Sequence, residues 1–184
     1  MWWLWLVLAA FLLGVFFVCF LFLSEIWRIT LSEGIPAVSS TWAVVDRVIV
    51  ERVLPREGLI LDLGCGTGWT LRRLWRSGLR GPFVGYENAF VPWFAGRVWN
   101  CVTMCPVNVQ RADLFTAPFE QARGVYLFLL PDFLKRLGPE LKHRLNPGAV
   151  VVSAEFPIPD WTPWKTFEAR GVTKPHAKVF VYRV

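Results

Sequence analysis

Residues 60–68 read Ile-Leu-Asp-Leu-Gly-Cys-Gly-Thr-Gly, an apolar strand that runs into a turn with glycine at every second position. Glycine takes left-handed backbone without steric cost and lets a ligand approach the main chain closely. A helix over 68–77 would follow, with its free N–H groups beside the turn. One helix later, Val84-Gly85-Tyr86-Glu87 is a second apolar strand ending in an acid, 19 residues beyond Gly68. Together these segments constrain the chain to an α/β sheet with a ligand cradle at its strand ends.

The alternation continues. Strands are expected at 59–63, 83–86, 107–110, 125–130 and 149–154. Helices are expected at 68–77, 88–99 and 132–145, the last broken at Gly138-Pro139. A short helical or irregular piece follows the third strand. Near-continuous apolar runs between helices indicate a parallel sheet covered on both faces. Residues 164–168 and 177–183 read as an antiparallel pair, joined by a loop containing Gly171 and Pro175. Before the sheet, residues 41–54 read as an amphipathic helix capped by Ser40 or Thr41 and ended by Pro55. Val44, Val45, Val48 and Ile49 give it an apolar face.

Residues 1–23 carry no charged side chain. At 1.5 Å per residue such a helix crosses a hydrocarbon core of roughly 30 Å. Trp2, Trp3 and Trp5 suit one interface and Trp27 the other. A signal peptide is disfavoured, since no Lys or Arg precedes the apolar run and no small-x-small cleavage site follows it. The expected organisation is a transmembrane helix at 1–23, a juxtamembrane linker with the amphipathic helix at 24–55, and a catalytic domain at 56–184. Arg28, Arg47, Arg52 and Arg56 follow the apolar run, so the positive-inside tendency places the domain on the cytoplasmic side and the short N-terminus outside.

The net charge is +6, and 15 of the 20 basic residues are Arg. This suits ordinary solubility, anionic lipid or nucleic acid. No metal site is expected. Cys101 and Cys105 lack a second pair, Cys19 lies in the apolar run and Cys65 in the glycine turn. His143, in a basic helix, and His176, in the last loop, are poorly placed as general bases.

Gly64, Gly66 and Gly68 form the cradle, with Cys65 between the first two. Asp62 closes the strand just before it. A carboxylate there would repel a pyrophosphate and suits a ligand bearing a cationic amino group. Glu87 can accept hydrogen bonds from both hydroxyls of a ribose. The alternative is a plain strand–turn–helix whose glycines serve geometry alone; Asp62 and Glu87 favour the cofactor reading. A phosphate loop is excluded, because Lys and Ser/Thr are missing from its end.

Ile-Leu-Asp-Leu-Gly-Cys-Gly-Thr-Gly resembles the first motif of the class I, seven-stranded S-adenosylmethionine-dependent methyltransferases. The resemblance implies an α/β, Rossmann-like seven-stranded sheet with an antiparallel C-terminal hairpin, and S-adenosyl-L-methionine as cofactor. By it, Gly64 and Gly66 wrap the methionine moiety, Asp62 positions its amino group and Glu87 takes the ribose. Asp113, in Arg111-Ala112-Asp113-Leu114-Phe115, matches the acid that holds the adenine amino group, with Tyr86 and Phe115 near the ring. A local loop cap is the other reading of Asp113.

Gly85-Tyr86-Glu87-Asn88 with Val91-Pro92-Trp93, and Phe156-Pro157-Ile158-Pro159-Asp160-Trp161-Thr162-Pro163, are similar to a family of membrane-associated protein-lysine methyltransferases. Its eukaryotic members modify the adenine nucleotide carrier and the membrane-ring (c-type) protein of ATP synthase. Gly34-Ile35-Pro36-Ala37-Val38-Ser39 is similar to that family's segment before the core, though a second Pro is absent. The resemblance implies transfer of a methyl group to a lysine of a membrane protein. Trp161 is then a pocket wall and Glu155 an orienting group, with Leu130 and Pro131 at the fourth strand end and Pro157 just beyond the fifth. Core packing is the alternative for Trp161, and a structural pair or surface position for Glu155. Leu129-Leu130-Pro131-Asp132 departs from the Asn/Asp-Pro-Pro-Tyr pattern of many enzymes that methylate bases or glutamine, as the lysine family also does. Rival functions are methylation of a lipid, quinone or other amphiphile, a non-catalytic cofactor-binding scaffold, and RNA methylation. The apolar segment and the lack of a separate RNA-binding module argue against the last.

Overall fold

Five short strands separated by helices pair in parallel, and two late strands close one edge. In the computed structural model, residues 2–31, 42–170 and 176–184 are described. They fall into two units, residues 1–36 and 37–184. The first contains α1 (Trp2–Leu31), one helix that continues eight residues past the uncharged run. Its stretch Trp2–Ser24 is long and apolar enough to cross a membrane. The expected cap at Ser40 or Thr41, the Gly34–Ser39 segment and the loop with Gly171 and Pro175 lie outside the described residues, as do the side chains of Trp27 and Arg28.

The second unit runs α2 (Trp42–Val50), β1 (Leu59–Leu63), α3 (Trp69–Arg76), β2 (Phe83–Glu87), α4 (Phe90–Val102), β3 (Asn108–Arg111), β4 (Ala122–Leu127), α5 (Pro131–Arg144), β5 (Val150–Ala154), β6 (Lys165–Ala169) and β7 (Ala177–Arg183). Its seven-stranded sheet has the order β3-β2-β1-β4-β5-β7-β6. The first five strands are mutually parallel, and β7 is antiparallel to both β5 and β6. The sequence order reverses between β1 and β4. A doubly wound sheet opens a crevice at that point, beyond the carboxyl ends of its strands.

Alternation along the strands divides the core. Ile60, Phe83, Val109 and Val152 face one side with α2 and α3. Leu61, Leu63, Val125, Leu127 and Val151 face the other with α5. Helix α2 buries Val44, Val45 and Val48. Asp46 pairs with Arg73 of α3 at 2.7 Å, and Glu51 with Lys165 of β6 at 2.7 Å. The helix stops at Val50, short of the expected Pro55, and Arg52 turns through φ 49° so that Val53 and Leu54 enter the core.

Two other expectations are corrected. The fourth strand begins at Ala122 and ends at Leu127, not over 125–130. Ala122 and Gly124 already pair with β1, through an irregularity between Leu59 and Ile60. Phe128–Leu130 leave the sheet to start α5, where Pro131 occupies a first-turn position that needs no N–H. That helix is continuous through Gly138-Pro139. Lys135, whose carbonyl loses a partner to Pro139, is exposed and can be met by water. Gly138 itself is needed for close packing, since a Cβ there would lie 2.9 Å from Ile158 Cγ2.

Gly96 plays the corresponding part in α4. A Cβ at that position would stand 2.5 Å from the Thr67 carbonyl oxygen, in the glycine turn. Backbone cannot yield as a flexible side chain does. Gly96→Ala is therefore expected to destabilise the fold by about 1–3 kcal/mol, read as a lowered unfolding midpoint of the detergent-solubilised chain. The same change should weaken ligand binding at the turn; an unchanged midpoint would show that α4 and the turn are free to separate.

Candidate active site

The strand ends of the parallel region bring the predicted cradle residues together. Gly64, Gly66 and Gly68 all take left-handed backbone, at φ 83°, 54° and 75°. The N–H groups of Gly64 and Cys65 both donate to the Tyr86 carbonyl, at 2.8 and 3.0 Å, which ties the turn to β2. Glu87 completes the link. Its Oε2 accepts from the Gly66 N–H at 2.9 Å, and its Oε1 accepts from the Ala89 N–H at 2.7 Å. Each carboxylate oxygen retains a lone pair for a further donor. The space beside Gly66 is open, with no atom within 4 Å of where a Cβ would stand.

Asp62 lies beneath this turn, buried, with Oδ2 lacking any hydrogen-bond partner. Burial, and secondarily the negative charge of Glu87, raise its pKa to about 8. A buried polar oxygen without a partner is costly and unusual. It fits a ligand whose donor group arrives from outside, such as an ammonium. Cys65 is not a candidate nucleophile. Burial first, then the charges of Asp62 and Glu87, push its thiol far above the ordinary range.

Two residues that sequence reasoning missed brace the cradle from behind. The buried Arg72 of α3 donates from Nη1 to the Thr67 carbonyl at 2.7 Å and to Asn100 Oδ1 at 3.0 Å. Asn100 of α4 in turn donates to the Val107 carbonyl at 2.7 Å. No local pattern marks these residues; an Arg early in a helix and an Asn late in the next read as surface positions. Trp93 Nε1 donates to the Val109 carbonyl at 3.1 Å, fixing α4 against β3.

The remaining candidates are spread along the same edge. Asp113 follows β3, is exposed, and its Oδ1 accepts from the Phe115 N–H at 3.0 Å, capping a short 3₁₀ turn. Leu130 caps α5 and is partly exposed, with Pro131 next to it on the surface. Glu155, immediately after β5, is buried and takes φ 65°, with its N–H donating to the Lys178 carbonyl at 2.9 Å. Left-handed backbone at a non-glycine residue costs on the order of 1 kcal/mol and gathers at functional sites. Trp161 follows β5 and packs toward β7 and α5. Its ring meets Tyr182 edge-on at 5.5 Å, and its Nε1 is 3.5 Å from the position of a Gly138 Cβ. Gly138 is seven residues into α5 from Pro131, about 10 Å along the axis. Among the described residues no group of three or more His, Cys, Asp or Glu could hold a metal ion.

This geometry has known counterparts. The family model of the ANTKMT methyltransferase domain matches residues 62–165. The chain is 33% identical to the adenine nucleotide translocase lysine N-methyltransferase of Mus musculus, over 74% of this chain and 59% of that one. It is 31% identical to the ATP synthase C-subunit lysine N-methyltransferase of Rattus norvegicus, over 70% of this chain and 59% of that one. The chain thus spans less than two thirds of the length of these curated relatives. A solved structure, an RNA methyltransferase from Salinibacter ruber in complex with S-adenosyl-L-homocysteine, superposes with a TM-score of 0.69 at 30% identity, covering 80% of this chain and 94% of that one. The cradle at the β1–β2 edge, the sheet order and these matches agree: the chain belongs to the ANTKMT methyltransferase domain family.

Proposed function

We propose that this protein is a membrane-anchored methyltransferase that moves a methyl group from S-adenosyl-L-methionine to a lysine side chain of a membrane protein. The observation that carries the reading is the buried, unpartnered Asp62 oxygen beneath a glycine turn that Glu87 holds open. Asp62 receives the cofactor's amino group, Glu87 its ribose hydroxyls, and the open space at Gly66 the methionine chain. Asp113 is the proposed partner of the adenine amino group. Its cap to Phe115 occupies one oxygen. The lysine assignment rests on the two relatives named above, and α1 supplies the anchor, crossing the bilayer with the sheet unit on the cytoplasmic side.

The cofactor, when bound, supplies an activated sulfonium methyl. The chain has then to bring a neutral amine in line and exclude water. Lysine has a reference pKa near 10.4, so its amine must shed a proton before it can attack. An apolar rim lowers that pKa by desolvation; Leu130 and Pro131 at the start of α5 and Pro157 are proposed to form it. Glu155 is proposed to orient the amine through its N–H bonds. Trp161 shapes the rim indirectly, by packing the segment after β5 onto Tyr182 and α5.

A second reading, RNA methylation, is favoured by the likeness to the Salinibacter ruber RNA methyltransferase. One experiment separates the two. Detergent-solubilised full-length protein is incubated with radiolabelled S-adenosyl-L-methionine and membranes from its own source. Counts in a protease-sensitive, nuclease-resistant band, lost in Asp62→Ala and Glu87→Ala, are expected. Nuclease-sensitive counts would establish RNA, and counts in the organic phase a lipid or quinone.

The raised Asp62 pKa gives two pH expectations. Without ligand, the folded state keeps this proton up to about pH 8, whereas the unfolded carboxyl loses it near 3.8. The folded state therefore binds more protons in that interval, and the group's contribution to stability falls as pH rises from about 4 to 8. Asp62→Asn should remove this slope. Binding of the cofactor's ammonium requires the ionised carboxylate. Affinity should therefore rise with pH toward about 8, falling on the acid side by up to about tenfold per unit, checked by calorimetry with S-adenosyl-L-homocysteine. A flat profile in the wild type would remove Asp62 from the ammonium site.

Glu155→Gly relieves the left-handed backbone while deleting the carboxylate. It should keep S-adenosyl-L-homocysteine affinity and lower methyl transfer about 100-fold. Full activity in this variant would assign Glu155 to structure alone.

A further inference from the structure

Helix α4 is apolar on its outside. Its buried residues are Gly96 and Asn100, a glycine and an amide. At 100° per residue, Val91, Phe94, Ala95, Val98, Cys101 and Val102 fall on one arc of about 120° directed away from that pair. Phe94 is 52% exposed, Val98 47%, Val102 75%, and Met104 just beyond the helix 88%. An ordinary surface helix of a globular domain shows the reverse pattern, with its polar face outward. Contiguous exposed apolar surface of this kind marks an interaction site.

Two observations identify what covers it. The first is charge. From Gly68 to Ala112 the chain carries six arginines, at positions 72, 73, 76, 80, 97 and 111, and a single carboxylate, Glu87. Arg72 is buried and Arg73 is paired with Asp46, whereas Arg97, on α4 itself, and Arg111, over the Phe90 ring at 5.4 Å, are exposed beside this face. Trp99, 56% exposed, and Arg97 flank the apolar arc on its two sides. Apolar residues bordered by Trp and Arg match a helix lying in a membrane interface, where the basic groups meet anionic headgroups. The second is the tether. Residues 32–41 join α1 to α2, and ten residues reach at most about 36 Å. A domain tethered to a membrane anchor encounters the bilayer, and the face it presents is chosen by which surface gains most from contact.

We propose that the outward face of α4, with Met104, rests in the interfacial layer of the membrane and orients the catalytic unit on it. The inference rests on the anchoring reading above. It deepens that reading by giving the domain a fixed attitude to the bilayer, beyond mere attachment.

The test uses full-length protein in vesicles of phosphatidylcholine and phosphatidylserine containing a doxyl-labelled lipid as quencher. An environment-sensitive fluorophore is placed at one cysteine at a time. Cys101 is exposed on α4, Cys19 is exposed on α1, and Cys65 and Cys105 are buried. Three samples are compared: the label at Cys101 in Cys19→Ser, at Cys19 in Cys101→Ser, and at position 142 in Lys142→Cys with both serine changes. Position 142 lies on α5, which packs on the opposite face of the sheet. The expected result is several-fold stronger quenching at Cys101 than at position 142, abolished by Val98→Asp with Val102→Asp while the Cys19 label stays quenched. Quenching at Cys19 with Cys101 no better quenched than position 142 would overturn the inference. It would leave the anchor intact and assign the face to a second copy or to the substrate protein. No quenching at Cys19 would overturn the anchoring reading and this inference with it.

Discussion

Glu87 closes two backbone turns with one side chain. One carboxylate oxygen takes the Gly66 N–H and the other takes the Ala89 N–H. The glycine turn after β1 and the turn from β2 into α4 are thereby fixed to each other, and a charge-assisted bond of this type is roughly twice as strong as a neutral one. The arrangement works only because the turn can take left-handed backbone at three positions within five residues. Behind it, Arg72 holds the Thr67 carbonyl and reaches Asn100, so α3 and α4 are locked to the same turn from the far side. The cradle is shaped before any ligand arrives, which reduces the ordering cost of binding.

Beneath that rigid frame sits a group that the frame does not satisfy. A buried carboxylate can avoid the cost of an isolated charge by keeping its proton, and Asp62 does so up to about pH 8. Under the proposed function that proton holds the place of the cofactor's ammonium, and ligand binding exchanges one for the other, so the same carboxyl sets stability in the free state and affinity in the bound state. Glu155 is a second residue held against its own preference, at the opposite end of the edge. Its strained backbone is fixed by the bond to Lys178 and by burial against β7, where Val179 and Val181 are fully inside. Strain persists there because the surrounding sheet over-determines the position.

The parts legible in the sequence are those whose chemistry acts through the backbone. Glycine spacing, an acid closing a strand, and apolar runs of fixed period announce themselves locally, which is why β1, β2, β5 and the C-terminal hairpin lie where the pattern puts them. The fourth strand is harder to read, because Ala122, Arg123 and Gly124 have weak strand preference; Ala122 and Gly124 are held in the sheet by pairing with β1, and Gly124 also with β5. Side-chain facing is harder still. Trp161 is a pocket wall by the family resemblance and a packing residue by the other reading, and only the structure shows its ring meeting Tyr182 edge-on and its Nε1 close to Gly138 of α5. Asp113 fits two uses by sequence, and its cap to Phe115 is visible only in three dimensions. Arg72 and Asn100 are 28 residues apart, and nothing in either neighbourhood points to the other.

The inverted polarity of α4 follows from the same bracing. Close approach of the helix to the glycine turn demands a residue without a side chain at Gly96, and tying α3 to β3 demands an amide at Asn100. The inward face is thus committed to geometry and hydrogen bonding and buries little apolar surface of its own. A helix so placed would be most stable in water with a polar outer face. Phe94, Val98, Val102 and Met104 run against that expectation and contribute nothing to the core from where they stand. Their exposure is therefore not a by-product of packing. The proposed partner is a bilayer surface, which Arg97 and Arg111 beside this face and the long apolar helix α1 both favour.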